Sequence, residues 1–256
     1  MLDRQTRDQL DRLHQFMADA PFAVLTGAGI STPSGIPESR RRYWARAMLG
    51  WPRVRLAQPN VAHDTLARLQ GTRQISGLIT QNVDTLHDQA GSRDVIELHG
   101  SLHRVLCLDC GQRSERDSIQ YLMETQNPYL AGVDAMQAPD GDTLLDPAFE
   151  ERFKVPRCPH CAGERMKPDV VFFGENVAQA TAAKAMAAVE QAAGLLVIGS
   201  SLMAYSAFRL CRAVVDQGKP LIAINLGKTR ADEMLDLKIE ESCERLLPVL
   251  AKLLGN

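Results

Sequence analysis

A glycine-rich stretch directly follows a short apolar run, and this junction constrains the fold more than any other segment. The run Phe22–Leu25 leads into residues 27–37, which read Gly-Ala-Gly-Ile-Ser-Thr-Pro-Ser-Gly-Ile-Pro. Glycine has no Cβ, so the backbone can approach a ligand closely and point its N–H groups at a phosphate. A buried strand that ends in such a turn predicts a nucleotide site. The alternative is a tight strand-to-helix turn without a ligand.

This stretch differs from the dinucleotide fingerprint of dehydrogenases at two points. Thr32 stands where the motif G-x-G-x-x-G has its third glycine. No acidic residue follows at the distance of about 20 positions where it would bind a ribose. A dehydrogenase is therefore the least favoured function.

Composition narrows the class of protein. The chain has 256 residues, of which 45% are hydrophobic and 23% charged, as in a globular protein with one large domain and a smaller insert. The net charge of −2 argues against broad contact with nucleic acid. No apolar run approaches the roughly 20 residues that span a bilayer. The first residues resemble neither a signal nor a transit peptide, so we expect a cytoplasmic bacterial protein without membrane contact. We also expect it to be a monomer.

Apolar runs alternate with helical patterns along most of the chain. This alternation predicts an α/β fold, a Rossmann-like doubly wound parallel sheet. The predicted strands are 22–26, 75–80, 95–98, 170–173, 195–198 and 221–224, and the predicted helices include 178–193 and 204–217. The helical segment 40–70 is expected to break at Trp51-Pro52 and at Gln58–Asn60. Residues 101–165 differ from the rest of the chain, because they contain short alternating runs, paired cysteines and a stretch rich in proline, glycine and aspartate. We therefore divide the chain into a Rossmann-like domain (1–100 and 166–256) and an inserted zinc-binding module (101–165).

Small, amide or acidic residues follow five of the predicted strands. Ligands of parallel sheets bind at the carboxyl ends of the strands. We therefore expect these residues to form one site. They are Gly27–Ser31, Gln81–Asp84, His99-Gly100, Gly199–Ser201 and Asn225.

Four of the six cysteines form two pairs with two residues between the thiols, Cys107 with Cys110 and Cys158 with Cys161. Two such turns supply four thiolates to a tetrahedral structural zinc ion, which leaves no open position for catalysis. The gap of 47 residues between the pairs is longer than in a zinc ribbon and predicts a small subdomain. A nucleic-acid-binding zinc ribbon is the alternative, which the charge balance disfavours.

Together these motifs resemble the sirtuins, a family of NAD-dependent protein deacylases, and they follow the family order over nearly the whole chain. Besides the glycine-rich stretch and the cysteines, the matching segments are Thr80–His87, Glu97–Gly100, Lys167–Glu175, Gly199–Leu202 and Asn225–Gly227. The long gap between the cysteine pairs, with Arg42–Arg46 and Gly50–Pro52, is most similar to the class II branch. That branch includes the mitochondrial lipoamidase-type sirtuins and their bacterial relatives.

The resemblance implies a protein-lysine deacylase (deacetylase) that transfers the acyl group to ADP-ribose and releases nicotinamide. NAD is then the co-substrate, bound by the Rossmann-like domain, and one Zn²⁺ is structural. The implied catalytic residues are His99, Asn82 and Asp84, with His99 as the general base that takes a proton from the ribose. The implied NAD-binding residues are Gly27, Ala28, Gly29, Ile30, Ser31, Gly35, Ile36, Pro37, Gln81, Asn82, Val83, Asp84, Gly199, Ser200, Ser201, Asn225, Leu226, Gly227 and Cys243.

Several residues have a structural alternative. Cys243 is equally compatible with a buried apolar position, and His63 and His87 are expected to be structural histidines. Tyr43 and Arg46 have the spacing of a pair that reads acidic acyl groups in some sirtuins, but a surface helix is the favoured interpretation.

The resemblance also implies an acylated lysine of a protein as the substrate. An extended substrate peptide would add a strand beside the chain. The implied substrate residues are Val171, Phe172, Phe173, Gly174 and Glu175. A simple core strand is the alternative.

The resemblance breaks after Pro37. The family continues into Asp-Phe-Arg or Asp-Tyr-Arg and a long cofactor-binding loop, whereas Glu38-Ser39-Arg40 here leads almost directly to Tyr43. Either these three residues are a divergent remnant, or the chain has lost the loop. Loss of the loop predicts weaker closure over NAD. An NAD-binding protein with little turnover is therefore one alternative function, and a mono-ADP-ribosyltransferase that uses the same NAD site is another.

Overall fold

A computed structural model describes residues 3–18, 21–26, 40–133, 136–137, 143–172 and 174–255. The helices of the described residues are α1 (Arg4–Ala18), α2 (Arg40–Leu56), α3 (Val61–Gly71), α4 (Leu86–Gln89), α5 (Arg116–Gln126), α6 (Pro147–Arg152), α7 (Gln179–Gln191), α8 (Tyr205–Asp216) and α9 (Cys243–Leu253). The strands are β1 (Phe22–Thr26), β2 (Ile75–Thr80), β3 (Ile96–Glu97), β4 (Gly100–Cys107), β5 (Arg113–Glu115), β6 (Met136–Gln137), β7 (Thr143–Leu144), β8 (Met166–Val170), β9 (Leu195–Ile198), β10 (Leu221–Ile224) and β11 (Leu237–Ile239). None of the described helices is both long and apolar enough to cross a bilayer.

The chain divides into two compact units. The first comprises Met1–Ser31, Gln58–His99 and Gly174–Asn256. It contains a six-stranded sheet in the order β11-β10-β9-β1-β2-β3, and every neighbouring pair is parallel. Counted along this unit, the order is the doubly wound 3-2-1-4-5-6, in which ligands bind where the strand order reverses. That point lies between β1 and β9, so the predicted fold class is confirmed.

Strand residues of the first unit alternate between two apolar cores. Phe22 and Val24 pack into a core shared with α1, α3 and α9, whereas Ala23 and Leu25 pack into a second core shared with α7 and α8. Because both faces of the sheet are covered, the sequences of its strands are continuous apolar runs.

The edges of this sheet were the least predictable part. The predicted strands at 22–26, 75–80, 195–198 and 221–224 match β1, β2, β9 and β10, while the strand predicted at 95–98 is confined to β3. The prediction missed β11, whose three residues Leu237, Lys238 and Ile239 form too short a pattern to stand out from a loop.

The second unit comprises Thr32–Ala57 and Gly100–Phe173. Its antiparallel sheet has the order β5-β4-β8, and β6 pairs with β7. Trp44 and Met48 of α2 pack into its core with residues of β4, α5 and β8. The helical segment predicted at 40–70 is thus divided, with α2 in this unit and α3 in the first.

Proline 52 does not break α2, contrary to the expected break at Trp51-Pro52. A proline inside a helix removes the hydrogen bond to the carbonyl four residues earlier, here that of Met48. The buried Gln120 amide donates to this carbonyl oxygen at 2.9 Å. The helix continues because a side chain from α5 satisfies the released acceptor.

The strand predicted at 170–173 is also shifted. β8 ends at Val170 and runs antiparallel to β4, with Gly100 opposite Val170. A Cβ at Gly100 would collide with the carbonyl oxygen of Asp169, and the residue has a φ of +81°. Close backbone contact therefore requires the glycine of the predicted His99-Gly100 motif.

Candidate active site

The carboxyl ends of β1 and β2 are joined through side chains. Thr26 lies opposite Thr80 in the parallel register, and the Thr26 hydroxyl donates to the Thr80 hydroxyl at 2.9 Å. The Thr80 hydroxyl also accepts the backbone N–H of Asn82 at 3.1 Å. These bonds fix the start of the predicted segment Gln81–Asp84, and the Asn82 side chain is buried.

Gln81 connects this segment to the end of β9. Its side-chain amide donates to the Ser200 hydroxyl at 2.8 Å and to the Thr26 carbonyl at 3.3 Å. The Ser200 hydroxyl in turn accepts the backbone N–H of Leu202 at 3.1 Å. Gln81 and Ser200 therefore meet where the strand order reverses, which is where this fold binds its ligands.

The backbone after Asn82 is strained. Asp84 accepts the backbone N–H of Leu86 at 3.0 Å, and Val83 and Asp84 are half-buried. The next residue, Thr85, adopts a left-handed conformation with a φ of +61°. A β-branched residue rarely occurs there, and such strain concentrates at functional sites.

The ring of His99 is held at both nitrogens. Its Nδ1 lies 3.1 Å from the Gln81 carbonyl oxygen, and its Nε2 lies 2.8 Å from the Ser206 hydroxyl. Burial lowers the pKa of His99, and the hydrogen bond to the Gln81 carbonyl partly opposes that effect. The ring is therefore neutral near pH 7 and can act as a base.

The predicted residues after β9 and β10 differ in exposure. Gly199 has a φ of +58°, Ser200 is buried and Ser201 is exposed. The buried Asn225 amide donates to the carbonyl oxygens of Leu226 and Gly227 at 3.0 and 3.2 Å. Asn225 thus shapes the exposed turn of Leu226 and Gly227, two of the residues predicted to bind NAD.

Cys243 begins α9 and packs into the core shared with α1 and α3. Burial raises the pKa of its thiol. The side chain is therefore a neutral, largely apolar group, as the buried alternative expected.

Part of the predicted site lies outside the described residues. This part contains Gly27, Ala28, Gly29, Ile30, Ser31, Gly35, Ile36, Pro37 and Phe173. Of the remaining substrate residues, Val171 and Phe172 are half-buried, whereas Gly174 and Glu175 are exposed. The ring of Phe172 contacts the ring of Tyr43 edge-on at 5.9 Å.

Two buried histidines lie behind the Thr26–Thr80 pair. The rings of His63 and His87 have centroids 4.8 Å apart, and His87 Nε2 lies 3.0 Å from the Thr26 hydroxyl. His63 Nδ1 lies 2.8 Å from the Asn60 side-chain oxygen. Among the described residues, His63 Nε2 and His87 Nδ1 have no hydrogen-bond partner. Both histidines are core residues, and both are neutral near pH 7 because burial lowers their pKa values.

The four paired cysteines of the second unit come together. Their sulfur atoms all lie within 4.8 Å of one another, with Cys107 Sγ 3.7 Å from Cys161 Sγ and Cys110 Sγ 3.8 Å from Cys158 Sγ. Zinc–sulfur bonds of about 2.3 Å place tetrahedral thiolates about 3.8 Å apart. The four cysteines therefore fit one zinc ion.

Arg46 forms an ion pair with a neighbouring carboxylate. Its guanidinium forms an ion pair with Glu150 at 2.7 Å, and both side chains are mostly buried. Tyr43 packs against Trp44 as well as Phe172. These contacts favour a structural role for Tyr43 and Arg46 rather than recognition of an acidic acyl group.

Ser206 and Thr26 carry no functional signal in the sequence, and Thr80 stands out only as the first residue of the matching segment Thr80–His87. A serine in the first turn of a helix is common, and a threonine at the end of a strand is ordinary. No local pattern distinguishes them, because their role depends on hydrogen bonds to residues far away in the sequence.

The fold and the site together define a nucleotide-binding α/β protein with a structural zinc site. A sequence profile of the Sir2 family matches residues 39–206. The chain belongs to the Sir2 family.

Curated relatives are close in sequence. The "NAD-dependent protein deacetylase 3" of Pseudomonas syringae pv. tomato is 63% identical, with 98% of each chain covered. An "NAD-dependent protein deacetylase" of Xanthomonas axonopodis pv. citri is 48% identical, with 89% of this chain and 85% of the relative covered.

Solved structures agree with the fold. "Sir2 bound to acetylated peptide" superposes with a TM-score of 0.76 at 29% identity and covers 96% of this chain and 98% of its own. "Sir2-p53 peptide-NAD+" superposes with a TM-score of 0.73 at 30% identity and covers 100% of this chain and 99% of its own.

Proposed function

We propose that this protein is an NAD-dependent protein-lysine deacylase that removes acetyl groups. The observation that carries the proposal is the hydrogen-bonded cluster of His99, Gln81 and Ser200 at the reversal point of the sheet, with Asn82 beside it. It combines a neutral imidazole base with buried amide and hydroxyl groups suited to a nucleotide. The names of the bacterial relatives support the same activity.

The residues at the strand ends have distinct roles in this proposal. Asn82 and Asp84 orient the nicotinamide end of NAD, Ser200 and Ser201 bind the pyrophosphate with the stretch 27–37, and Asn225 shapes the adenosine site. When bound, NAD supplies the ribose carbon that accepts the acyl oxygen and loses nicotinamide. His99 accepts a proton at Nε2, since Nδ1 already donates to a carbonyl oxygen.

The substrate is an acylated lysine in an extended segment of a protein. Val171, Phe172, Phe173, Gly174 and Glu175 would contact that segment, as the resemblance implies. Solved relatives described as bound to acetylated, propionylated and myristoylated peptides support an acyl-lysine substrate.

The finer assignments are also part of the proposal. The 47 residues between the cysteine pairs support the class II branch. The net charge of −2 supports a protein partner rather than a nucleic acid. Work in the cytoplasm as a monomer stays a prediction. We keep the division into an NAD-binding domain and a zinc-binding module, with zinc as a structural ion.

An NAD-binding protein with little turnover is the second candidate. The alignment with the Pseudomonas relative spans 276 positions, more than the 256 residues of this chain. The relative therefore has residues that this chain lacks, as a shortened loop after Pro37 would require. Weak closure over NAD would then limit turnover.

Nicotinamide release from NAD in the presence of an acetyl-lysine peptide tests the proposal. The wild-type protein should release nicotinamide and deacetylate the peptide, and His99→Ala should slow deacetylation by about 10²–10⁴-fold. His14→Ala on α1 is the matched control and should behave as wild type. NAD binding without turnover on a panel of acyl peptides would favour the second candidate, and ADP-ribose left on protein would indicate a transferase.

A further inference from the structure

The Ser206 hydroxyl occupies the nitrogen that the proposed base would use. Ser206 Oγ lies 2.8 Å from His99 Nε2, and the Gln81 carbonyl oxygen lies 3.1 Å from His99 Nδ1. A carbonyl oxygen only accepts hydrogen bonds, so Nδ1 carries the proton of the neutral ring. The Ser206 hydroxyl therefore donates to the lone pair of Nε2.

This arrangement restricts the path of a proton. A neutral imidazole has one acceptor nitrogen, and its lone pair lies in the plane of the ring. While Ser206 occupies that lone pair, a second hydroxyl cannot bond along the same direction. A proton that reaches Nε2 without rearrangement of the site must therefore pass through the Ser206 hydroxyl.

The fold fixes both hydrogen bonds. Ser206 lies in the first turn of α8, and the next residue, Ala207, is fully buried in the core beside β9 and β10. Gln81 is tied to β1, because its backbone N–H donates to the Thr26 carbonyl at 3.1 Å. Fixed donor–acceptor distances are what a proton relay requires.

We propose that Ser206 is a second catalytic residue, which relays a proton from the co-substrate to His99. This inference rests on the proposed function. The ribose hydroxyl of NAD gives its proton to Ser206 Oγ while Ser206 gives its own proton to His99 Nε2. One O–H bond breaks on the ribose, one is exchanged on Ser206 and an N–H bond forms on His99. Ser206 stays neutral, His99 becomes a cation, and the ribose oxygen keeps the electron pair with which it attacks the acyl carbon.

The relay is tested with Ser206→Ala and with Ser206→Thr, which keeps a hydroxyl. Single-turnover formation of O-acetyl-ADP-ribose should fall about 10²-fold in Ser206→Ala and recover in Ser206→Thr. In the proposed reaction nicotinamide leaves before the base acts, so exchange of labelled nicotinamide into NAD should stay within about twofold of wild type. Thr125→Ala, an exposed hydroxyl of α5, is the neutral control.

Two further measurements separate a relay from mere packing. In mixtures of light and heavy water, the wild-type rate should depend on deuterium fraction along a curve, because two protons move. The same plot should be a straight line for Ser206→Ala. Ring-nitrogen NMR should show the Nε2 resonance of His99 shifted in Ser206→Ala while Nδ1 stays protonated.

The failures are distinguishable. An active wild type with an equally active Ser206→Ala, or a curved plot that persists in Ser206→Ala, overturns the relay alone. A wild-type protein that forms no product overturns the proposed function and the relay with it.

Discussion

Acidification should destabilise the first unit through His87. This side chain is 1% exposed and lies against His63, which is fully buried. Burial, and next the charge of His63, lower the pKa of His87 from its ordinary 6.5 to about 3. The unfolded chain therefore binds a proton between pH 6.5 and 3 that the folded chain excludes. Stability contributed by the neutral ring is present above pH 6.5 and is lost as the pH falls through this window.

The magnitude follows from the two pKa values. At pH 5 the unfolded imidazole is almost fully protonated while the folded one is neutral, so the loss relative to pH 7.5 is about 2 kcal/mol. Burial also lowers the pKa of His63, so its contribution has the same sign. The variant His87→Gln has no titrating group at this position and serves as the control.

Native-state hydrogen exchange of the β1 and β2 amides is the suitable assay. Both tryptophans, Trp44 and Trp51, belong to the second unit, whose zinc thiolates respond to acid as well. The opening free energy of the strand amides, corrected for intrinsic exchange, should fall between pH 7.5 and 5 by about 2 kcal/mol more in wild type than in His87→Gln. Equal losses in the two proteins would refute the reasoning.

Three other predictions concern the zinc site, the strained residue and the helix proline. Removal of zinc by a chelator, or Cys158→Ser, should unfold the second unit and shift tryptophan emission to the red, while the β2 amides stay protected from exchange. Unchanged emission would contradict a structural zinc. Thr85→Gly should stabilise the protein by about 1 kcal/mol, because glycine tolerates a left-handed conformation, and a lower urea midpoint would exclude strain there. Gln120→Leu should destabilise the protein by about 1–3 kcal/mol, since the Met48 carbonyl loses its donor. An equal loss of stability in a Pro52→Ala background, where residue 52 regains its backbone N–H, would show that this carbonyl is not the cause.

The sequence predicted the centre of the sheet well, because central parallel strands are buried on both faces. The runs Phe22–Thr26 and Leu195–Ile198 are fully buried, and such apolar runs flanked by turns are easy to recognise. The three-residue β11 at the edge has no comparable signal. The helix through Pro52 was equally hidden, since its continuity depends on Gln120, which is far away in the sequence.

The site was predictable where it follows the strands and unpredictable where it depends on packing. Gln81, Asn82 and Ser200 were predicted to lie together because the carboxyl ends of parallel strands converge. The Ser206 hydroxyl on His99 and the pairing of His63 with His87 arise from helices that pack against the sheet. Periodicity and motif spacing carry no information on such tertiary contacts.

The most direct test of the proposed activity is the detection of O-acetyl-ADP-ribose by mass spectrometry after incubation with NAD and an acetyl-lysine peptide. We predict one O-acetyl-ADP-ribose and one nicotinamide for each lysine deacetylated by the wild-type protein, and a drop of about 10²-fold or more for His99→Ala. Undiminished product from His99→Ala would contradict the assignment of the base. Absence of the product with wild type, under conditions in which NAD binds, would contradict the proposed function.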